Sequence, residues 1–273
     1  MHPPERVPSL TEAVALGLLQ GPSELLPVSS SAHMSLIPWL AGWRYGELDG
    51  DERKSFEIAV HAGAGLALAI AMRGELYEAA RELKGKTIPA WGLALVPPAL
   101  LGLLLRATIE RRLAGPRSLA AGLILGAAAM TLADSQAPAP GNRGRDDFRA
   151  LDGLALGLAQ ALALAPGVSR NGATLAAARA RGYGRVDAQA LSWRAGLPVI
   201  LGASGLEGAR AVRDGVHGHG ATVALAAGSA FLSTSAVAGA RGTRALRGRR
   251  LAPYSVYRCV LGAAVVVRLR RAQ

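Results

Sequence analysis

Long runs without an ionisable side chain are the feature that most limits what this chain can fold into. Two of them, Ile88–Leu105 and Gly220–Ala240, have the length of roughly 17 to 25 residues that crosses a hydrocarbon core. Shorter apolar runs cover Ile58–Met72, Ser118–Ala133 and Val260–Val267. Because arginines cluster at the ends of these runs, the pattern favours an all-α integral membrane protein.

The positive charge of the chain allows a different class of protein. The 273 residues include 31 Lys and Arg against 19 Asp and Glu, a formal charge of +12. A nucleic-acid-binding protein would place such charge on one face, beside aromatic or polar side chains that contact bases. The arginines instead flank the apolar runs, so we expect membrane lipids as partners and no nucleic acid. A soluble protein with alanine-rich buried helices is the remaining alternative, since the mean hydropathy is only +0.25.

The sequence contains few features that indicate disulfide formation or removal of a signal peptide. Cys259 is the single cysteine, which excludes an internal disulfide framework. Near the N-terminus, Glu5, Arg6 and Glu12 precede an apolar run that Pro22 interrupts, and no small-residue cleavage site follows. We therefore predict no cleaved signal peptide.

The two halves of the chain resemble each other. A shift of 140 positions lays Ala15–Ser30 over Ala155–Arg170 and matches Ala, Leu, Gly, Leu, Gln, Val and Ser. Gln20 falls on Gln160 in this comparison, although two stretches rich in alanine and leucine also match by chance. A polar segment rich in proline and glycine, residues 134–149, separates the halves. We predict one membrane domain built from two repeats, 1–140 and 141–273.

Each repeat begins with an apolar stretch of about ten to fifteen residues that ends at a proline, too short to cross a bilayer. Broken apolar segments at corresponding positions of two halves indicate a site near the membrane midplane. We predict re-entrant helix-loop-helix units near 10–40 and 151–182, each followed by three spans. These spans are expected near 56–73, 88–106 and 118–133, and near 188–206, 220–240 and 252–268. Three spans would invert the second repeat relative to the first. The Lys and Arg counts on the two faces are nearly equal and do not choose an orientation.

The first loop contains a carboxylate in apolar surroundings. Glu24 has no other acid near it in a long apolar stretch, and Gln20 lies one helical turn before it. An ionisable group at membrane depth indicates a functional site by default. The alternative is a glutamate that reaches the membrane interface from a helix end.

Hydroxyl groups and an imidazole follow this carboxylate. Ser29, Ser30 and Ser31 come after the break at Pro27, where free backbone N–H groups and hydroxyls could bind an anion. His33 is three residues beyond Ser30 and could accept a proton from its hydroxyl. Taken alone, this Ser-x-x-His spacing is a weak signal.

The second loop, "PGVSRNGAT", contributes a cation. Arg170 lies between the hydroxyls of Ser169 and Thr174, with glycines that allow close approach of the backbone to a ligand. The guanidinium fork binds phosphate oxygens in pairs. The alternative is that Arg170 pairs with a carboxylate and holds the repeats together. One carboxylate, several hydroxyls, an imidazole and an arginine suit cleavage of a phosphate ester or anhydride.

Three motifs carry a family resemblance. "LTEAVALGLLQGPSELLPVSSSAH", "FEIAVHAGAGLALAI" and "LALAPGVSRNGAT" resemble, in order and over most of the chain, the signature regions of bacitracin-resistance-type undecaprenyl pyrophosphate phosphatases. The resemblance implies an inverted-repeat fold in the bacterial cytoplasmic membrane and hydrolysis of polyprenyl pyrophosphate to the monophosphate. This reaction recycles the lipid carrier of peptidoglycan synthesis and gives bacitracin resistance. The resemblance also implies a divalent cation, Mg2+ or Ca2+, and a site on the extracytoplasmic side. A polyprenyl-phosphate transporter or flippase is the competing function, and a homodimer stays open.

The resemblance also implies roles for individual residues. Glu24 and Gln20 fall on the family's acidic pair and on the expected cation ligands, and Arg170 falls on the phosphate-binding arginine. Ser30 matches a serine proposed as the nucleophile and His33 the family's histidine, while sequence leaves Ser30, His33 and water open as nucleophile. Further expected substrate contacts are Gln20, Ser29, Ser31, Glu57, Ser169, Asn171 and Thr174. A structural role is the alternative for Glu57, which is expected at a helix end.

The chain departs from the family pattern at several positions. Gln20 is neutral where the family often has glutamate, and Ala32 stands where it usually has glycine. His61 replaces a frequent glutamine, and Asn171 replaces the serine after the arginine. Arg194 places a charge inside a predicted span.

Overall fold

The computed structural model describes residues 8–136, 143–215 and 220–271, and these residues form helices without a named strand. The first half contains α1 (Leu10–Leu25), α2 (Ser30–Ala41), α3 (Gly50–Ala71), α4 (Arg73–Glu82), α5 (Ile88–Leu113) and α6 (Pro116–Gln136). The second contains α7 (Ala150–Leu162), α8 (Arg170–Ala180), α9 (Arg185–Asp214), α10 (Gly220–Ala238), α11 (Ala240–Leu246) and α12 (Ala252–Arg271). Residues 137–142 of the predicted dividing segment, and Glu5 and Arg6, lie outside the described residues.

Both predicted helix-loop-helix units are present as pairs of short helices. Helices α1 and α2 have 16 and 12 residues, and α7 and α8 have 13 and 11. The hydroxyl of Ser9 caps α1 by accepting from the N–H of Glu12. Pro27 lies in the break after α1, and Pro166 and Gly167 lie in the break after α7. Neither helix of either pair reaches the length of a span.

Five of the described helices are long and apolar enough to cross a membrane: α3, α5, α6, α10 and α12. They correspond to five of the six predicted spans, so the chain is a multi-pass membrane protein. The sixth predicted span, 188–206, lies within the 30-residue helix α9, which is long enough to cross a membrane but is less apolar than the other five. Two of its polar residues, Gln189 and Arg194, are buried inside the protein, which explains why its composition differs from that of a lipid-facing helix.

Arg194, the charged residue inside the predicted span of α9, has acidic partners on α4. The guanidinium of Arg194 contacts Glu82 and lies 3.5 Å from the carboxylate of Glu75, both on α4. Arg247 also pairs with Glu75, at 3.0 Å. These ion pairs hold the polar helix α4 against α9 and compensate a charge that would be costly if left unpaired.

The short helices pack against long helices from the opposite half. On α1, Gly17 and Gly21 allow α10 to approach so closely that an added Cβ would overlap Ser229 or Ser233. On α7, Gly153 and Gly157 allow the same approach to α5. Glycines four residues apart are a common means of close helix packing in membranes. The two halves therefore pack against each other through one short helix of each half, which lies along a long helix of the other half.

Candidate active site

The two loops share an unusual backbone conformation. Ser29 and Ser169 are the non-glycine residues with positive φ, +79° and +68°, within the described ranges. They match in the 140-position comparison, and each immediately precedes the second helix of its pair. Non-glycine residues adopt this region rarely, and such strain clusters at functional sites. The Ser169 hydroxyl accepts from the N–H of Gly172 at 3.2 Å, and Ser29 bonds the hydroxyl of the exposed Ser31 at 3.2 Å.

Glu24 is the point at which side chains from both loops meet. Its carboxylate accepts from the Ser30 hydroxyl at 2.8 Å and from Nη2 of Arg170 at 3.3 Å. The amide of Gln20 also donates to it, at 3.3 Å. Ser30 begins α2 and Arg170 begins α8, so the breaks before these helices bring the hydroxyl and the guanidinium to one carboxylate. Glu24 and Arg170 are 146 positions apart in the sequence.

Arg170 has hydrogen-bonding capacity that the protein does not use. Its Nε and Nη1 atoms are buried and have no protein partner, while Nη2 contacts Glu24. The guanidinium lies against Gly196 of α9, where a Cβ would overlap Nη1. Buried donors without partners are rare and costly, which makes an anionic ligand the natural partner for these two groups.

His33 is oriented away from the Ser30 hydroxyl. Its Nδ1 lies 2.7 Å from the carbonyl oxygen of Ser29, and its Nε2 lies 2.6 Å from the hydroxyl of Tyr257 on α12. Because a carbonyl only accepts, Nδ1 carries the proton in the neutral ring and Nε2 accepts from Tyr257. The expected proton transfer from Ser30 to His33 therefore has no hydrogen bond to follow in this structure.

Several expected substrate contacts of the second loop are used inside the protein. The amide of Asn171 donates to the carbonyl oxygen of Leu25 at 2.5 Å and accepts from the hydroxyl of Ser192 at 2.7 Å. The hydroxyl of Thr174 bonds Ser192 and the carbonyl oxygen of Arg170. These contacts join the start of α8 to the end of α1 and to α9. They position Arg170 rather than offer free groups to a ligand.

Glu57 belongs to a separate group of contacts on α3. Its carboxylate accepts from the Tyr45 hydroxyl at 3.0 Å and lies 4.0 Å from Nε of Arg53. Burial and the neighbouring charge of Glu57 raise the pKa of Tyr45, so this hydroxyl remains a donor. His61, one turn beyond Glu57, bonds the Glu57 carbonyl oxygen at 2.7 Å. The structure therefore does not bring Glu57 into direct contact with Glu24 or Arg170.

Arg258 is a functional candidate that sequence reasoning missed. It is fully buried within the apolar helix α12. Its guanidinium donates to the Pro27 carbonyl in the first loop and to the Gly167 and Val168 carbonyls in the second, at 3.2, 2.9 and 2.8 Å. One cation thus fixes both loops. A charged residue inside a membrane span was the signal that could have found it.

The donor atoms of the site fit a cation that is shared with a phosphate group. No cluster of three His, Cys, Asp or Glu side chains able to hold a metal occurs within the described ranges. Glu24 nevertheless offers a carboxylate, and the buried Oε1 of Gln20 has no hydrogen-bond partner. Mg2+ is commonly held by one or two carboxylates together with substrate phosphates and water. The residues fit that arrangement better than a cage made by the protein alone.

This arrangement is suited to phosphoryl transfer. A hydroxyl that donates to a carboxylate is the usual pairing of a nucleophile with its base. A guanidinium with two unused donors can stabilise the charge that develops on a phosphorus centre. Both groups lie where two short helices from different halves meet.

Comparison with known proteins points to one family. The family model described as Bacitracin resistance protein BacA matches residues 13–264. A protein named undecaprenyl-diphosphatase from Geobacter sulfurreducens is 35% identical over 276 residues, covering 95% of this chain and 98% of the relative. A protein of the same name from Pelotomaculum thermopropionicum is 34% identical over 268 residues, covering 94% of this chain and 95% of the relative. The family predicted from three motifs is thereby confirmed. This chain belongs to the bacitracin resistance protein BacA family.

Proposed function

We propose that this membrane protein is an undecaprenyl-diphosphatase, which hydrolyses undecaprenyl pyrophosphate to the monophosphate and inorganic phosphate. The observation that carries this proposal is the contact of Glu24 with both Ser30 and Arg170. Relatives that cover almost the whole chain bear the name of this activity. The reaction returns the lipid carrier to peptidoglycan synthesis and accounts for the family's connection with bacitracin resistance. No feature of the described residues favours the flippase alternative.

In the proposed mechanism, Ser30 is the nucleophile and Glu24 is its base. The unused donors of Arg170 bind oxygens of the terminal phosphate. Ser30 Oγ then forms a bond to the terminal phosphorus while Glu24 takes the hydroxyl proton, and the bond to the bridging oxygen breaks. The polyprenyl monophosphate leaves, and water hydrolyses the phosphoserine to release inorganic phosphate. The His33 ring supports the Ser29 carbonyl at the start of α2 and thereby positions Ser30.

A divalent cation, Mg2+ or Ca2+, belongs to this proposal. Glu24 and Gln20 would hold it together with diphosphate oxygens, and it would neutralise the charge on those oxygens.

Arg258 maintains the two loops in position through their carbonyl groups.

The proposed architecture is an inverted repeat in the cytoplasmic membrane. The α1–α2 and α7–α8 pairs would be re-entrant units that enter from opposite faces, because α3, α5 and α6 cross the membrane between them. Two observations support this: the matched positive-φ serines, and the matched packing of α1 on α10 and of α7 on α5. The diphosphate would enter from the extracytoplasmic side, with the polyprenyl chain along the apolar outer surface of the helices.

The proposal predicts that Ser30→Ala abolishes the reaction whereas Ser31→Ala does not. Ser31 is the matched control, since it is the next serine but is exposed and does not contact Glu24. With Mg2+ or Ca2+ in detergent, the purified chain should release phosphate from undecaprenyl pyrophosphate. Ser30→Ala should be at least about 100-fold slower, and Ser31→Ala should remain close to the wild type.

A labelled intermediate separates the mechanism from the activity. Rapid acid quenching with substrate labelled in its terminal phosphate should leave label on the wild-type chain and none on Ser30→Ala. Full activity of Ser30→Ala would refute the nucleophile, and an inactive wild type would refute the phosphatase.

A further inference from the structure

A groove separates the N-terminal half of α6 from the C-terminal half of α12, apart from the proposed active site. Its volume is about 380 Å³. The walls are apolar and include Ala121 and Ile124 of α6 and Val266 and Leu269 of α12. Cavities of this size are large enough for a small ligand or part of a lipid.

Two guanidinium groups stand at one end of the groove. Arg117 is in the first turn of α6 and Arg270 in the last turn of α12, and the two helices are antiparallel. Both side chains are exposed. Across the part of the chain that the structure describes, neither takes part in a hydrogen bond or ion pair with another residue. The groove therefore combines two available cations with an apolar trough that extends into the span.

This distribution of charge matches the chemistry of a phospholipid. A single arginine at a helix end commonly reaches the interface along its own apolar stem and indicates nothing specific. Two arginines on facing helices, at the mouth of one apolar groove, can bind one phosphodiester from both sides. Basic pockets between spanning helices bind anionic headgroups in this way.

We infer that the groove between α6 and α12 binds one anionic phospholipid of the surrounding membrane. The phosphodiester lies between Arg117 and Arg270, and one acyl chain packs along Ile124 and Val266. The polyprenyl chain of the substrate is a poorer match, because the apolar walls extend over only a few helical turns. Helices α6 and α12 also support the catalytic loops through Arg258, so the bound lipid would stabilise the elements that hold the site.

Native mass spectrometry of the full chain, exchanged from detergent into phosphatidylglycerol or phosphatidylcholine, tests this inference. We expect the wild type to retain one phosphatidylglycerol and to retain phosphatidylcholine weakly. The double variant Arg117→Gln/Arg270→Gln should bind phosphatidylglycerol about 10- to 30-fold more weakly, as expected for the loss of two interfacial cations. The matched control Arg241→Gln/Arg244→Gln removes the same charge at α11, beside the opposite end of α12, and should retain the lipid.

A second pair of variants tests the groove without changing charge. Ala121→Trp fills the trough and should displace the lipid, while Leu125→Trp, on the neighbouring exposed surface of α6, should not. Retention of phosphatidylglycerol by both Arg117→Gln/Arg270→Gln and Ala121→Trp would overturn the inference. A wild-type dimer that Ala121→Trp converts to monomer without loss of lipid would overturn it in favour of a second copy of the chain.

Discussion

Arg170 reaches the candidate active site because the residue opposite it has no side chain. Gly196 of α9 lies directly against the guanidinium, and a Cβ at this position would occupy the place of Nη1. The obstacle would meet the end of a flexible side chain rather than backbone, so the helix could remain in place while the guanidinium moves. In the proposed mechanism, catalysis depends on the position of this group much more than folding does, since a misplacement of about 1 Å can cost 100-fold in rate.

We therefore predict that Gly196→Ala lowers phosphate release by about 10- to 100-fold with little change in thermal stability. Gly202→Ala is the matched control, because it lies on the same helix with open space around it. Initial rates and melting temperatures in detergent would measure both effects. Equal activity of the two variants would show that Arg170 does not need its present position.

Short spacing in the sequence predicted some contacts correctly and others wrongly. Gln20 and Glu24, one turn apart on α1, do touch. Ser30 and His33 have similar spacing, but the ring bonds the carbonyl of Ser29 and extends toward α12. Tyr257 is 224 positions from His33, and nothing local in the sequence indicates that the two meet. Contacts between helices that are distant in the sequence can be identified only once the fold is known.

The close packing of α1 on α10 sets the depth of the first loop. Helix α10 lies so close to α1 that a Cβ added to Gly17 would overlap the backbone of Ala226. Such contact places the break after α1 at a fixed depth beside α10. The depth of Glu24, two turns further along α1, follows from it.

A bulkier residue at this contact should separate the two helices. We predict that Gly17→Ala destabilises the protein by about 1–3 kcal/mol, because an added methyl group has no space against α10. Gly92→Ala in α5, where nothing surrounds the added carbon, should be neutral or slightly stabilising. Thermal unfolding in the same detergent compares the two. Equal melting temperatures would contradict the close packing.

The lengths of the apolar runs predicted most of the spans, since five of the six expected spans are helices of suitable length and composition. The length of the apolar run was less informative for α9, whose polar residues contact residues of other helices. Gln189 faces Asn171, and Arg194 faces the acids of α4. A helix that is buried among other helices does not need the uniformly apolar surface from which spans are recognised. Composition therefore describes the lipid-facing helices better than the central ones.

At the scale of the whole molecule, neither half contains all the residues of the candidate site. The first half supplies Glu24 and Ser30, and the second supplies Arg170 and the clamp of Arg258. The helices also pack across the two halves, since α1 of the first half packs on α10 of the second and α7 of the second packs on α5 of the first. Separation of the halves would expose both contacts at once.

We predict that residues 1–140 and 141–273, expressed as separate chains, assemble into an active enzyme only when they are produced together. Each half alone should show no phosphate release in membranes. Copurification of a tagged first half with the second would measure assembly independently of activity. A second half with Arg170→Ala should still copurify but should lack activity, and activity of either half alone would contradict the shared site.

The exchange of helices also has a consequence for biogenesis. Helix α1 is made before its neighbour α10, which follows it in the chain by some 200 residues. Arg170, which pairs with Glu24, follows it by 146 residues, so the carboxylate has no cationic partner until α8 has been made. The proposed catalytic centre is thus completed only after α8, α10 and α12 have been made, so a chain terminated before these helices would have no hydrolytic activity.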